Sequence, residues 1–267
     1  MRLRPGYTLD TAERDLASVR VKWQNLYSNQ DRLWERYLQT VNDTYVQLSQ
    51  SLTDPDLGEG LYSKHFWQLA NGGTGSTPLL HGTLVREVKE QIAAIEAALV
   101  QVAALRMYAE RPGTRVVYDT NMLNHWRAPN EVKWDEVLRE EGLPSKRVRL
   151  VVPLVVIDEL DRQKGGGGQL GSRAAKAIRF LESALKGVAP GTPTEIRPNV
   201  TLEVRLDPPG HRRGEADVEV LLCAAELDQL GGPAPTRVLT DDFGMHLRAQ
   251  SMRVAAMRLP DSYRKGD

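Results

Sequence analysis

The stretch RVVYDTNMLNHW, residues 115–126, decides the fold that this sequence predicts. Its apolar residues form a short buried strand, which ends abruptly at Asp119. Thr120 and Asn121 then turn the chain into a helical segment. In open α/β sheets, functional groups gather just beyond the carboxyl ends of the strands. Asp119 is therefore a candidate for chemistry, although an Asp at this place is also a common helix cap.

Strand and helix patterns alternate from residue 111 to residue 267. The most apolar run, RLVVPLVVI at residues 149–157, predicts a central strand covered on both faces. Pro153 cannot donate a ladder hydrogen bond, so we expect the ordered strand to begin after it and a helix to open at Asp158. The alternation predicts a three-layer α/β/α, Rossmann-like domain with a parallel sheet. Further strands are predicted at residues 201–206 (an edge), 237–240 and 254–257.

Residues 1–110 carry a helical pattern instead. Apolar residues spaced mostly three, four or seven apart run from Leu9 to Leu52 and again from Leu80 to Leu105. They predict two long helices, separated by an irregular piece and a flexible connector at residues 71–76. The helices would form an antiparallel hairpin or a coiled-coil-like arm. Such an arm can pair with a second copy of the chain or with another protein, and the sequence leaves this open.

The composition excludes several classes of protein. The 267 residues include 35 basic and 35 acidic ones, so net charge gives no argument for nucleic acid or membrane binding. Cys223 is the only cysteine, which excludes an internal disulfide and a cysteine-based zinc site within one chain. We find no signal peptide and no apolar run long enough to cross a bilayer. We therefore expect a soluble, cytoplasmic protein with no membrane partner.

Acidic residues recur at comparable places further along the chain. Glu159 follows the second strong strand, and Asp217 lies in the first turn of a predicted helix. Asp241 and Asp242 end a third strand. If these strands are neighbours, the carboxylates converge with Asp119 on one pocket, and a cation is needed to keep them all ionised. Oxygen ligands suit Mg²⁺ or Mn²⁺, which support hydrolysis of a phosphodiester. Taken singly, Asp119 and Asp242 are also explained as helix caps, and Asp217 as a contact with a helix dipole.

With these acids in view, the chain resembles the PIN-domain ribonuclease family, in a subgroup similar to RNA-decay PIN domains. The resemblance covers residues 114–260, and its matching blocks are VVYDTNML at 116–123, PLVVIDELDRQK at 153–164, SRAAKAIRFLE at 172–182, EADVEVLLCA at 215–224 and VLTDDFGMHLRA at 238–249. It implies a divalent-metal-dependent enzyme that cleaves single-stranded RNA with metal-activated water.

The resemblance also implies which residues act. The catalytic and metal-binding acids fall on Asp119, Glu159, Asp217 and Asp242, with Asp241 as a further metal ligand. Thr120, Asn121 and Thr240 match the polar residues that support these carboxylates. The block around Asp217 departs from the family, because Ala216 stands where Asn or Asp commonly precedes the acid.

A stripe of basic residues follows the second acid, and it is predicted to bind RNA. Its members are Arg162, Lys164, Arg173, Lys176 and Arg179, of which the last three recur at three-residue steps along a helix. Cations beside an acidic metal site suit a phosphate backbone, although a solvated helix face would look the same. Further candidates for this patch are Lys146, Arg147, Arg149, Arg212 and Arg213, and His125 and Trp126 are candidates for stacking on a base.

Other functions stay open on the sequence alone. A PIN fold without activity would serve as an RNA-binding or scaffold module that works through its helical arm. A toxin of a toxin–antitoxin pair is usually a bare PIN domain, whereas this chain carries about 110 additional residues. A phosphatase of the haloacid-dehalogenase type needs a second Asp where Asn121 stands, so it fits less well.

Overall fold

The computed structural model describes residues 2–29, 31–53, 56–71, 78–143, 146–189, 191–207 and 211–266. The chain divides into two compact units, Met1–Ala109 and Glu110–Asp267. Apart from Asn71, the predicted connector at residues 71–76 lies outside the described residues.

The first unit is helical. Its described helices are α1 (Leu9–Ser28), α2 (Leu33–Ser51), α3 (Asp56–Leu61), α4 (Lys64–Asn71) and α5 (Pro78–Ala109). Thr8 caps α1, because its hydroxyl accepts a hydrogen bond from the backbone N–H of Thr11. Helix α1 packs against both α2 and α5. Trp23 and Tyr37 are fully buried between the helices and meet edge to face, with ring centroids 5.9 Å apart.

The prediction of two long helices is wrong in its first half. The apolar stripe from Leu9 to Leu52 is continuous in sequence, but α1 ends at Ser28, and α2 begins only at Leu33, after Arg32, whose backbone is left-handed with φ 50° and ψ 39°. The break lets α2 fold back on α1, where the indole N–H of Trp23 donates to the hydroxyl of Thr44 at 2.9 Å. The two halves of the stripe are therefore buried against each other within one chain. Pairing of this unit with a second chain stays a prediction.

Helix α5 corrects the expectation that no apolar run could cross a bilayer. By length and composition alone, Leu80–Ala109 is long and apolar enough to do so. One such helix is weak evidence for a membrane span, because the core helix of a globular protein can pass the same test. Within its own unit, α5 buries Leu84, Val88 and Val102.

The second unit is built on a six-stranded sheet in the order β3-β4-β2-β1-β5-β6. Only the β3–β4 pair is antiparallel, so the predicted parallel α/β architecture is confirmed, with one antiparallel edge. The strands are β1 (Thr114–Tyr118), β2 (Val148–Pro153), β3 (Thr194–Arg197), β4 (Val200–Arg205), β5 (Arg237–Leu239) and β6 (Ala255–Met257). The flanking helices are α6 (Thr120–His125), α7 (Trp134–Glu140), α8 (Leu154–Lys164), α9 (Gly168–Ala184), α10 (Ala216–Gln229) and α11 (Phe243–Ser251).

The carboxyl end of β1 lies where the strand order reverses. From β1 the chain adds β2 and β4 on one side, and it then returns to add β5 and β6 on the other. In open α/β sheets the crevice at such a switch point is the usual place for a ligand. Asp119 follows β1 directly and therefore lies at this crevice.

The predicted central strand is shorter than expected, and it ends at Pro153 instead of beginning after it. Strand β2 ends at Pro153, and α8 begins at Leu154, four residues before the predicted helix start. Pro153 can serve both as the last residue of β2 and as the N-cap of α8, because its ring fixes φ near the observed −61°. Val155 and Val156 are buried in the first turn of α8, and a short apolar run of this kind cannot be told from a buried strand by periodicity. The expected edge strand at 201–206 is also interior, since β3 covers β4.

A buried ion pair joins two neighbouring strands of the sheet. Arg149 of β2 lies 3.6 Å from Glu203 of β4, measured from Nη2 to Oε1, and both side chains are 4% exposed. Arg149 therefore belongs to the interior of the sheet, and its assignment to an RNA-binding patch is wrong.

We predict that Glu203→Leu destabilises the protein by about 3–5 kcal/mol, because the guanidinium of Arg149 would stay buried without this carboxylate. The double variant Arg149→Met/Glu203→Leu should recover most of the loss, since neither charge remains in the sheet. Urea unfolding followed by circular dichroism measures both free energies of unfolding. An equal loss in the two variants would show that the ion pair is not the cause.

Candidate functional site

The centre of the candidate site is Asp119, which is only 4% exposed. Thr240, just after β5, donates its hydroxyl proton to Oδ2 of Asp119 at 2.8 Å. The same hydroxyl accepts a hydrogen bond from the backbone N–H of Asp242 at 3.1 Å, which orients the proton towards Asp119. Asp119 occupies the N-cap position of α6 but makes no side-chain capping hydrogen bond. Hydrogen bonding by the backbone N–H groups of Asn121 and Thr120 acts to lower the pKa of Asp119, so contacts with the start of α6 help to hold its charged form.

Burial raises the pKa of Asp119 to about 6. Loss of hydration is the main cause, and the negative charge of Asp217 adds to it, whereas the hydrogen bond from Thr240 acts in the opposite direction. The charged form of Asp119 is therefore costly at neutral pH. A cation beside Asp119 and Asp217 would remove much of this cost.

Glu159 reaches the crevice from a helix rather than from a strand end. It lies in the second turn of α8, and its Oε2 accepts the hydroxyl proton of Thr120 at 2.5 Å. Thr120 directly follows Asp119, so this hydrogen bond ties α8 to the end of β1. A second link lies beside it, where the side-chain amide of Asn124 donates to Oε1 of Gln163 at 2.6 Å.

Asp217 lies in the first turn of α10 and is paired with an arginine that the sequence did not indicate. Arg248 of α11 donates to Oδ2 of Asp217 at 2.6 Å. The two side chains are 48% and 45% exposed, so the pair is weak and easily displaced. The start of α10 is fixed by Glu219, which accepts the backbone N–H of Gly214 at 2.7 Å and lies 2.8 Å from Nε2 of His211.

The two aspartates that follow β5 have other partners in the structure. Asp242 caps α11, because its Oδ1 accepts the backbone N–H of Met245 at 2.8 Å. Asp241 is paired with Arg258 at 2.5 Å. For Asp242 the ordinary capping explanation is therefore correct, and the metal-binding roles of both residues stay predictions.

The carboxylate oxygens are suitable ligands for a divalent cation, but few of these side chains lie together. Among the described residues, no group of three or more acidic, histidine or cysteine side chains is placed to hold one metal ion. The four-acid cluster that the sequence predicts is thus not assembled in this part of the chain. Mg²⁺ needs fewer protein ligands, since it keeps several waters and commonly binds through one or two carboxylates and the phosphates of its substrate. The buried Asp119 and the nearby charge of Asp217 fit that requirement.

The family model of the PIN domain matches residues 116–259, which is more than half of the chain. This chain belongs to the PIN-domain family. No curated protein matches it. Among solved structures it is similar to a domain of a functionally unknown protein from Methanocaldococcus jannaschii DSM 2661, at 18% sequence identity and a TM-score of 0.36, with 58% of this chain and 97% of that chain covered. PIN domains are generally nucleases, and this family places the present chain among RNA-related proteins.

Most of the predicted RNA-binding residues of the PIN domain have exposed side chains, namely Arg162, Lys164, Lys176 and Arg179. Lys164 is paired with Asp161 on its own helix at 3.1 Å. Arg173 is half-buried, and it contacts Nδ1 of His125 at 2.9 Å and donates to the carbonyl of Gly266 at 3.2 Å.

Of the further candidates in the PIN domain, Arg213 is engaged in ion pairs within the protein, and Trp126 is wrong. Arg213 forms ion pairs with Asp158 and Asp207, which tie the end of β4 to α8. Trp126 is 1% exposed, and the guanidinium of Arg264 lies over its ring at 5.9 Å. Its indole is therefore not accessible for stacking on a base.

The unexpected partners at this site are arginines. Arg248 is 31 residues from Asp217 and Arg258 is 17 residues from Asp241, so no local spacing links them. Only the packing of α11 against α10 and the pairing of β6 with β5 bring them to the acids.

We predict that Asp119→Asn stabilises the metal-free protein. The folded-state pKa of about 6 lies above the ordinary value of 3.8, so the cost to stability is absent below pH 3.8, grows as the pH rises to 6 and is complete above it. The gain should therefore reach up to about 3 kcal/mol at pH 8 and vanish near pH 4. Thermal unfolding in EDTA across this range measures it, with the exposed Asp135→Asn as the control. A variant that melts at or below the wild-type temperature at pH 8 would contradict the burial argument.

Proposed function

We propose that this PIN domain is a metal-dependent ribonuclease that cleaves single-stranded RNA in the crevice beside Asp119. The observation that carries the proposal is the buried carboxylate of Asp119 at the switch point of the sheet, with a raised pKa and the charge of Asp217 beside it. A buried carboxylate whose pKa is raised in this way is typical of a functional site. Membership of a family of nucleases supports the same conclusion.

Asp119 and Asp217 would hold the cation, which we propose to be Mg²⁺ or Mn²⁺ because both offer hard oxygen ligands, and Glu159 would contribute beside them from α8. When bound, such an ion supplies an acidic water as the nucleophile and neutralises charge on the phosphodiester. Asp241 and Asp242 would contribute at the rim of the crevice.

The remaining steps belong to the chain's own side chains. The hydroxyl of Thr240 holds Asp119 in one orientation, and the hydroxyl of Thr120 does the same for Glu159. Burial excludes water from Asp119, which strengthens its attraction for a cation. Because both acids are oriented before the substrate arrives, little reorganisation is left for the reaction itself.

The proposed substrate is single-stranded RNA because exposed cations lie on the helices next to the acids. Arg162 lies one turn beyond Glu159 on α8, and Lys176 and Arg179 are exposed on α9. Helices α8 and α9 pack against each other, so these cations share one region of the PIN domain. Their contacts would be with phosphates and would therefore be independent of base sequence.

One observation favours a second candidate function, an RNA-binding module without activity. Arg248 and Arg258 already neutralise Asp217 and Asp241, and Asp242 is engaged as a helix cap. A site whose outer acids are satisfied by the protein itself has less need of a cation. The two candidates differ in whether RNA is cut.

We predict that the wild-type protein cuts labelled single-stranded RNA in Mn²⁺ or Mg²⁺ but not in EDTA. Asp119→Asn should lower the rate at least about a hundredfold, because it removes a charge that binds the ion in a dry site. Asp135→Asn, an exposed change of the same kind, should cut at the wild-type rate. RNA that is bound by the wild type but uncut in either cation would favour the inactive module, and equal rates for wild type and Asp119→Asn would exclude Asp119 from the site.

We predict that Arg248→Gln tightens binding of Mn²⁺ by up to about fivefold, since an exposed ion pair costs at most about 1 kcal/mol to displace. Asp217→Asn should instead weaken binding by about tenfold or more. Isothermal titration calorimetry without RNA measures both dissociation constants. Weaker Mn²⁺ binding in Arg248→Gln would show that this arginine supports the acid rather than competing for it.

A further inference from the structure

Residues 263–266 lie along the end of α6 and are held there by backbone hydrogen bonds. The N–H of Arg127 donates to the carbonyl of Tyr263 at 2.9 Å, and the N–H of Lys265 donates to the carbonyl of His125 at 2.9 Å. A β-bridge between Trp126 and Arg264 lies between these bonds. The segment is therefore an ordered part of the PIN domain.

The side chain of Lys265 fixes the segment to the helix end. Its Nζ donates to the carbonyl oxygens of Leu123 and Asn124 at 3.0 and 3.2 Å. These carbonyls belong to the last turn of α6, where the helix carries partial negative charge. A cation at this place stabilises the helix and brings positive charge to the surface of α9.

Further cations from α9 meet the segment. Arg173 contacts His125 through Nη1 at 2.9 Å and donates from Nη2 to the carbonyl of Gly266 at 3.2 Å. Lys176 is exposed one turn further along the same face of the helix, and Arg264 is exposed above the indole of Trp126. We define the basic cluster as Arg173, Lys176, Arg264 and Lys265, together with the imidazole of His125.

Several positive charges lie close together in the basic cluster. Burial and then the charge of Arg173 lower the pKa of Lys265, and Lys176 lowers it further. Burial lowers the pKa of His125, and Arg173, Arg264 and Lys265 act in the same direction. Among the described residues, the acids that act in the opposite direction are Glu131 near Lys265 and Asp241 near His125, and Asp241 is already paired with Arg258.

The basic cluster lies close to the acidic crevice. Helix α6 connects them directly, since it begins just after Asp119 and ends at His125, six residues later. That length corresponds to about 9 Å along the helix axis. The negative charge of Asp241 acts to raise the pKa of His125, so the acidic rim of the crevice lies near the basic cluster.

We infer that the basic cluster binds sugar–phosphate backbone of the RNA next to the cleaved bond, so that residues 263–266 complete the substrate-binding surface. This inference rests on the proposed function. The chemistry is that of a polyanion site, in which arginine forks and lysine ammonium groups contact successive phosphates. The neutral imidazole of His125 adds a hydrogen-bonding group without a second charge to bury.

The test is the double variant Lys176→Gln/Arg264→Gln, assayed by fluorescence anisotropy with labelled single-stranded RNA in EDTA between 50 and 200 mM salt, as used for such linkage measurements. Binding should weaken on the order of tenfold, and the slope of log affinity against log salt should fall by about 1.4, or about 0.7 for each lost phosphate contact. The control Arg139→Gln/Lys186→Gln removes two exposed cations elsewhere and should leave affinity and slope near wild type.

Arg264 also covers Trp126, so Lys176→Gln alone provides a second test that leaves the segment's packing intact. It should lower the salt slope by about 0.7 at an unchanged melting temperature. An unchanged slope in both cluster variants would overturn the inference, whereas cleavage by the wild type would leave the proposed ribonuclease standing. A wild-type protein that binds no single-stranded RNA at low salt would overturn both.

Discussion

The hydrogen bond from Thr240 to Asp119 is the contact on which the site depends. Strands β1 and β5 are parallel neighbours in which Tyr118 pairs with Leu239. The residues that follow them, Asp119 and Thr240, therefore lie side by side, and the hydrogen bond can form. A shift of one residue in this register would turn one of the two side chains to the other face of the sheet. The register of two short buried strands thus fixes the orientation of the central carboxylate.

Depth in the crevice decides how each acid is neutralised. Asp119 is buried and is held by a hydroxyl, which brings no second charge that would itself lose hydration. Asp217 and Asp241 lie nearer to solvent, where an arginine can keep most of its own hydration. The outer acids can therefore exchange their partner for another cation at small cost, whereas Asp119 keeps an unrelieved cost at neutral pH. That asymmetry makes the deep carboxylate the strongest place for a cation to bind.

The sequence predicted the parts of this arrangement that follow from local pattern. A strand that ends in Asp-Thr-Asn identified Asp119 as a candidate, whereas Thr120 and Thr240 were identified through the resemblance to PIN domains. The setting of Glu159 was mispredicted, because the apolar residues before it serve equally well as a buried strand or as the first turn of a helix. Arg248 was missed for a different reason, since only tertiary packing brings it to Asp217.

The helical unit also shows the difference between what local pattern predicts and what tertiary packing decides. The apolar stripe correctly predicted helices, but it carried no signal for the break between Ser28 and Leu33, because a stripe is equally regular on one long helix or on two that pack together. Arg32 is neither glycine nor asparagine, the usual residues for a left-handed backbone. The gain from burying both halves of the stripe outweighs that local preference, and such a balance is decided only once the chain is folded.

Helix α6 couples the acidic crevice to the basic cluster. With six residues it is too short to be stable by itself, so it depends on contacts at both ends. At one end Thr120 binds Glu159, and at the other Lys265 binds the last carbonyls. Between these ends Met122 and Leu123 are buried, so packing as well as both sets of end contacts holds the helix that links Glu159 to residues 263–266.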